Sequence, residues 1–219
     1  MQLTKTDFYY FFSGLHLCFV ITAMMLTSKI LIFNLSFFNI TLPLKITGGL
    51  FIIPIVFFIQ DIITEVYGYI HCQKLLQFTI ILYVLYVLSI YIFVTKIFSC
   101  TINNLDLCNF IMLLLTLLPR HTVSFVFSLF IAGTINNFIL GKLKAFFNGK
   151  YLATRFIVST AIGEFIFQSI AIFISWYTIL GYSDIILLGF FAYSYKLLFE
   201  ILATPFNIML CRYLKNLNY

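Results

Sequence analysis

The sequence predicts an all-α, polytopic membrane protein, a compact bundle of about six transmembrane helices. Two observations predict it. The chain is 63% hydrophobic and 9% charged, against about 25% charged in an ordinary soluble domain. Its apolar residues fall into six runs, each near the roughly 20 residues that cross a bilayer. The runs are long and apolar on all sides, unlike the short alternating strands of a β-barrel. With a mean hydropathy of +1.08, most of the chain has lipid as its solvent.

The first run, Phe8 to Leu31, is long and no small-residue cleavage site closes it, so it reads as a retained helix. The second, Ile46 to Glu65, carries Gly48, Gly49 and Pro54. Glycine lets helices approach closely, and proline frees a carbonyl that a cavity can use. This run ends in Gln60-Asp61-Ile62-Ile63-Thr64-Glu65-Val66-Tyr67-Gly68-Tyr69. Asp61 and Glu65 share one helix face, and Gly68 is a natural terminator. Two acids at a helix C-terminus oppose the helix dipole. Either they form a solvated acidic end, or something holds them, with Arg155 and Lys74 as candidate braces. The third run is Leu75 to Phe98.

The fourth run, Asn109 to Asn136, has Pro119-Arg120-His121 near its middle. Thr116, Arg120 and Ser124 recur at spacing four, with Ser128 close by, which draws a polar stripe along one kinked helix. The alternative is a break at Pro119 that leaves Arg120 in a loop. The fifth run, Phe156 to Leu180, follows Arg155. Arg155, Ser159 and Gly163 line one face, and Thr160, Glu164 and Gln168 the next. Glu164 lies about 14 Å along this helix, close to mid-bilayer. The sixth run, Ile185 to Cys211, places Lys196 and Glu200 four apart, then Pro205. The six runs fill most of the chain, so residues 1–219 are expected to form a single integral-membrane domain with no room for a soluble one.

Arg120, Glu164, Lys196 and Glu200 thus lie inside apolar runs, at about 2.5–3.5 kcal/mol each for a charge at a helix centre. Such residues line a polar pathway or form ion pairs that fix packing. Four charges on three helices can converge as two cations and two acids, near neutral in sum. The net charge of +6 sits mostly in short loops, where it reports orientation rather than a nucleic-acid partner. Lys142, Lys144, Lys150 and Arg155 cluster in one loop, His71 and Lys74 in another, Arg212 and Lys215 after the last run, and Lys5 before the first. The opposite loops, with Asn103, Asn104 and Asp106 and with Ser183 and Asp184, are poorer in cations. Lys29, Lys45 and Lys96 are exceptions. Both termini are expected in the cytoplasm.

The five cysteines are scattered without a Cys-x-x-Cys, so no metal or other cofactor is expected. Cys100 and Cys108 share one loop and either pair or remain thiols. His16, His71 and His121 lie on different runs, and no hydrolase motif is present, which speaks against an enzyme. No phosphate-binding glycine-rich loop is present either, so the chain supplies no ATP hydrolysis of its own.

The run from Asp61 to Tyr69 resembles the signature of the queuosine-precursor transporter family, also called the vitamin uptake transporter family. Support comes in the same order along nearly the whole chain: Gly49 and Pro54, Pro119-Arg120, Arg155 with Ser159 and Gly163-Glu164, and Lys196 with Glu200 and Pro205. The resemblance implies a six-helix bacterial inner-membrane importer of deazaguanine bases for tRNA modification, whether the cyano or aminomethyl precursor or queuine. It further implies a secondary carrier. The alternatives are a substrate-binding membrane subunit energised by a separate ATP-driven module, and an importer of another vitamin-like heterocycle. A deazaguanine presents a ring N–H beside an exocyclic amine, which one carboxylate accepts in a bidentate pair. Glu164 is the first candidate for that contact and Glu200 the second. Arg120 or Lys196 would donate to the base carbonyl, with Gln168 beside them. Phe165, Phe167, Trp176, Tyr193 and Tyr195 offer aromatic faces. Asp61, Glu65 and Arg155 are expected to gate or couple transport, with Glu164 an alternative proton carrier. The lipid bilayer is the other partner. Whether copies form a homo-oligomer is left open at this level.

Overall fold

In a computed structural model, residues 4–27, 30–37, 40–96 and 105–217 are described. The order is α1 (Lys5–Thr27), β1 (Ile30–Phe37), β2 (Ile40–Thr47), a single 3-10 turn (Gly48–Phe51), α2 (Ile53–Tyr67), α3 (Tyr69–Lys96), α4 (Leu105–Phe146), α5 (Leu152–Trp176) and α6 (Tyr182–Lys215). Six helices are long and apolar enough to cross a membrane. The expected helical bundle is therefore present, with different boundaries and one addition.

The addition is a hairpin. The first run does not stay helical to Leu31: α1 ends at Thr27, and β1 pairs antiparallel with β2 from Ile30↔Thr47 to Phe37↔Ile40. Residues 30–37 are rich in β-branched and aromatic side chains, the composition that suits a pleated strand. Pro43 lies in β2 opposite Asn34, and proline is tolerated in a two-stranded ribbon because one edge is unpaired. The second run likewise begins as strand and 3-10 turn, and its helix proper starts at Ile53 with Pro54 in the first turn, where its missing N–H costs nothing. Cys100, with Asn103, Asn104 and Lys29, falls outside the described residues.

α2 is the central helix, packed by α1, α3, α4 and α6, while α5 lies between α4 and α6. It buries Asp61, Thr64 and Glu65 along with its aliphatic residues. The outer surfaces are apolar: Ile81 and Leu85 of α3, Phe127 of α4, Phe165 of α5 and Leu202 of α6 are all largely exposed. Asp61, Asn136, Glu164, Lys196 and Glu200 are buried inside the bundle instead. That inversion is what a hydrocarbon solvent demands.

The bundle has two distinct ends. At the terminus end, Tyr67 Oη donates to the Lys5 carbonyl at 2.7 Å and Tyr9 Oη to that of His71 at 3.4 Å. Gly68 separates α2 from α3 there with φ +95°, and its N–H returns to the carbonyls of Ile63 and Thr64. A left-handed backbone of this kind is open to glycine at no steric cost. At the hairpin end, Ile46 and Leu50 cluster with Ala192 of α6, and Leu31 and Tyr195 pack against them.

α4 runs unbroken through Pro119, so the alternative, a break there, does not occur. It also continues to Phe146, ten residues beyond Asn136. Within it, Leu118–Phe146 is long and apolar enough to cross a membrane. Arg120 stands level with the last turn of α5, where it bonds Ile174 and Thr178.

Candidate functional site

Three helices build a polar centre in the apolar bundle. α6 supplies Lys196 and Glu200, one turn apart and on the same face. α5 supplies Thr160, Glu164 and Gln168 at the same spacing, and α2 supplies Asp61. Every one is at least nine-tenths buried. Lys196 Nζ donates to Glu164 Oε2 at 2.8 Å, not to Glu200 on its own helix. The same ammonium lies 4.3 Å from the centre of the Phe167 ring, within range of a cation–π contact.

Asp61 accepts two hydrogen bonds, from Asn136 Nδ2 at 2.8 Å and Thr160 Oγ1 at 2.9 Å. It also lies within electrostatic reach of Glu164, as does Glu200. This arrangement requires α4 to approach α5 closely, and Gly163 permits it: a Cβ there would stand 2.9 Å from Cβ of Asn136. Glu164 Oε1 and Glu200 Oε1 have no partner among the described residues. Three carboxyls and one ammonium therefore share this centre, and two of the carboxyls keep an accepting oxygen in reserve.

Toward the terminus end, Glu65 collects three cations. Arg155 Nη1 reaches Glu65 Oε2 at 2.8 Å with both side chains fully buried. Lys144 lies 3.6 Å from Oε1 and also donates to the Glu65 carbonyl, and Lys215 pairs with Oε1. Arg155 further donates to the carbonyls of Lys150 and Gly149. One carboxylate thus ties α2 to α4, α5 and α6. That resolves the dipole problem at the end of α2: the acids are held by partners on other helices, Glu65 by cations and Asp61 by neutral donors.

Toward the hairpin end, a narrow cavity of about 50 Å³ has Lys196 and Gln168 at its inner limit. Its walls include His121, Ser124, Ser175 and Trp176, and Thr47 and Gly49 lie at its rim beside the hairpin. Ser175 Oγ donates to Ser124 Oγ at 2.8 Å, and Ser124 Oγ to the Ala171 carbonyl at 2.9 Å. At roughly 10–15 Å³ of such volume per water, this space holds a few waters. A ring-sized solute enters only if the helices separate.

A family model described as "Putative vitamin uptake transporter" matches residues 47–210, which hold the polar centre, Glu65 with its partners Lys144 and Arg155, and most of the cavity wall. The chain belongs to this family. It is a multi-pass membrane protein of the vitamin uptake transporters. No curated protein and no solved structure matches it.

Within this transporter, Glu164, Lys196, Glu200 and Gln168 converge at mid-bundle, whereas Arg120 stands apart. Its Nε donates to the Ile174 carbonyl at 2.7 Å and its Nη1 to Thr178 Oγ1 at 2.6 Å. Ile174 is ten residues beyond Glu164 on α5, about 15 Å along the axis. The guanidinium there complements the carbonyl end of α5. Of the aromatic candidates, Phe167 and Trp176 border the cavity. Phe165 is 61% exposed and pairs edge-on with Tyr193, and Tyr195 pairs with Phe51 at the hairpin end.

Two positions escaped the sequence reading. Asn136, taken as the last residue of a run, is fully buried inside α4 and holds Asp61. The adjacent Asn137 accepts from Thr64 Oγ1 at 3.2 Å. An amide pair within an uncharged apolar stretch was the available signal. His121 was noted only beside Arg120, and nothing local marks it as a cavity residue.

Proposed function

We propose that this transporter imports a deazaguanine base, a queuosine precursor, as a secondary carrier in a bacterial inner membrane. The observation that carries the reading is the Glu164–Lys196 pair below the cavity, with the second oxygen of Glu164 unpartnered. A carboxylate and an ammonium side by side match the amine, ring N–H and carbonyl along one edge of such a base. Glu200 and Gln168 complete the contact surface. Asp61, Glu65 and Arg155 form the closure on the terminus side, which the loop cations place in the cytoplasm. With that orientation the cavity faces outward and the Glu65 cluster seals the inner end. Arg120 braces α4 against α5 and takes no part in base contact.

The test is uptake in cells that lack their own synthesis and transport of deazaguanines, read as queuosine in tRNA. This chain is compared with its Glu164→Gln variant at matched membrane abundance. Rescue that the variant loses supports cargo and site together. A folded, abundant protein that rescues with no precursor sinks the cargo. Rescue in cells that fails in liposomes holding this protein alone would point instead to a subunit that needs a separate energising module.

A further inference from the structure

We propose that His121 and Trp176 form a second subsite in the cavity, where the planar ring of the cargo lies against the indole. There His121 would bond the ring edge opposite the one held by Glu164 and Lys196. The inference rests on the reading of the cargo as a nitrogen heterocycle.

His121 is 3% exposed, yet neither Nδ1 nor Nε2 has a hydrogen-bond partner among the described residues. Leaving a buried polar group unpaired costs about 1–3 kcal/mol, so a packing role gives no reason for a histidine here. A phenylalanine of similar shape would fill the space without that cost. The ring instead borders the cavity and lies 5.1 Å from the centre of the Trp176 ring, tilted by 51°.

Three other polar groups of the wall are engaged. Ser124 and Ser175 bond each other and the Ala171 carbonyl, and Lys196 bonds Glu164. Both ring nitrogens of His121 are without a hydrogen-bond partner among the described residues, and Gln168 lines the same cavity. A neutral imidazole offers one donor and one acceptor, and a carboxamide offers both as well. That pattern suits a flat ring with N–H and lone-pair nitrogen on its edges. It does not suit an anion, which would want donors alone. The indole adds a stacking face, worth about 1–3 kcal/mol per base where it has been measured by substitution.

Trp176 is the sole tryptophan of the chain, so its emission reports on this cavity alone. The full chain in lipid nanodiscs is titrated with aminomethyl-deazaguanine and with guanine, using Trp176→Phe as the blank for absorption by the base. The expected result is a saturable change in emission. For His121→Phe the half-saturation point should rise about tenfold, while the melting temperature is unchanged or higher. Unchanged half-saturation in His121→Phe overturns the proposal, and so does a lower melting temperature at unchanged affinity, which marks a structural histidine. Uptake without any change in Trp176 emission also overturns it, and leaves the cargo standing. Loss of both uptake and emission change in the unaltered chain removes the cargo reading itself, and the subsite with it.

Discussion

Lys196 on α6 passes over Glu200, its neighbour one turn away, and pairs with Glu164 on α5, 2.8 Å from Nζ to Oε2. The choice links two helices where an intrahelical pair would have linked none. It also leaves Glu200 as a buried carboxyl whose Oε1 has no partner among the described residues.

Removing one member of this pair should cost more than removing both. Lys196→Met leaves the Glu164 charge uncompensated in the bundle centre, with an expected loss of about 3–5 kcal/mol. Adding Glu164→Gln should recover most of that. Melting temperatures in detergent for the two single variants and the double variant check it. Equal destabilisation by the single and double changes would show that the pair does not matter to folding.

At the terminus end the three partners of Glu65 should differ sharply. Arg155→Ala removes a fully buried guanidinium and its two carbonyl contacts, and should be as damaging as a broken buried pair, about 3–5 kcal/mol. The Lys144 and Lys215 side chains are 40% and 41% exposed, so alanine at either should cost at most about 1 kcal/mol. Thermal unfolding of the three variants in one detergent ranks them.

Asp61 should not tolerate a neutral isostere. In Asp61→Asn the new amide turns at least one N–H toward a donor, either Asn136 Nδ2 or Thr160 Oγ1, and the mismatch should cost about 1–3 kcal/mol. Pairing it with Asn136→Asp, which restores an acceptor opposite the new donor, should regain part of the loss. A double variant no better than the single one would show that this hydrogen bond is not what fixes Asp61.

The approach of α4 to α5 is tested at Gly163. With Asn136 Cβ 2.9 Å from the added carbon, Gly163→Ala should destabilise by about 1–3 kcal/mol. It should also displace Asn136 from Asp61. Gly14, where an added Cβ meets nothing within 4 Å, is the matched control, and alanine there should leave the melting temperature within a few degrees.

The parts of this molecule that a local signal announces were legible. Long apolar runs gave the helices, and rare charges inside them gave Asp61, Glu164, Lys196 and Glu200. Residues 30–31 and 46–47 were read as helix because the hairpin they belong to is as apolar as the helix before it. Only the β-branched alternation and the Asn34–Pro43 pairing set it apart. The partners of Arg120, Ile174 and Thr178, lie more than fifty positions away at the end of another helix, which no spacing within α4 reveals. The partner of Lys196 depended on which helix stands beside α6, which no spacing within α6 reveals. His121 was hidden for the same reason, since its neighbour Trp176 is 55 positions away.

The Glu65 junction carries an asymmetry for the genetics of this protein. Lys144 and Lys215 can stand in for one another, since both reach in on long, half-solvated stems, whereas the buried Arg155 has no substitute. The carboxylate has no understudy among the described residues. A selection for working variants should therefore recover changes at residue 144 or 215 readily and changes at residue 65 rarely. Second-site revertants of a residue 65 lesion should arise on α5, where Arg155 is left buried without a counter-charge.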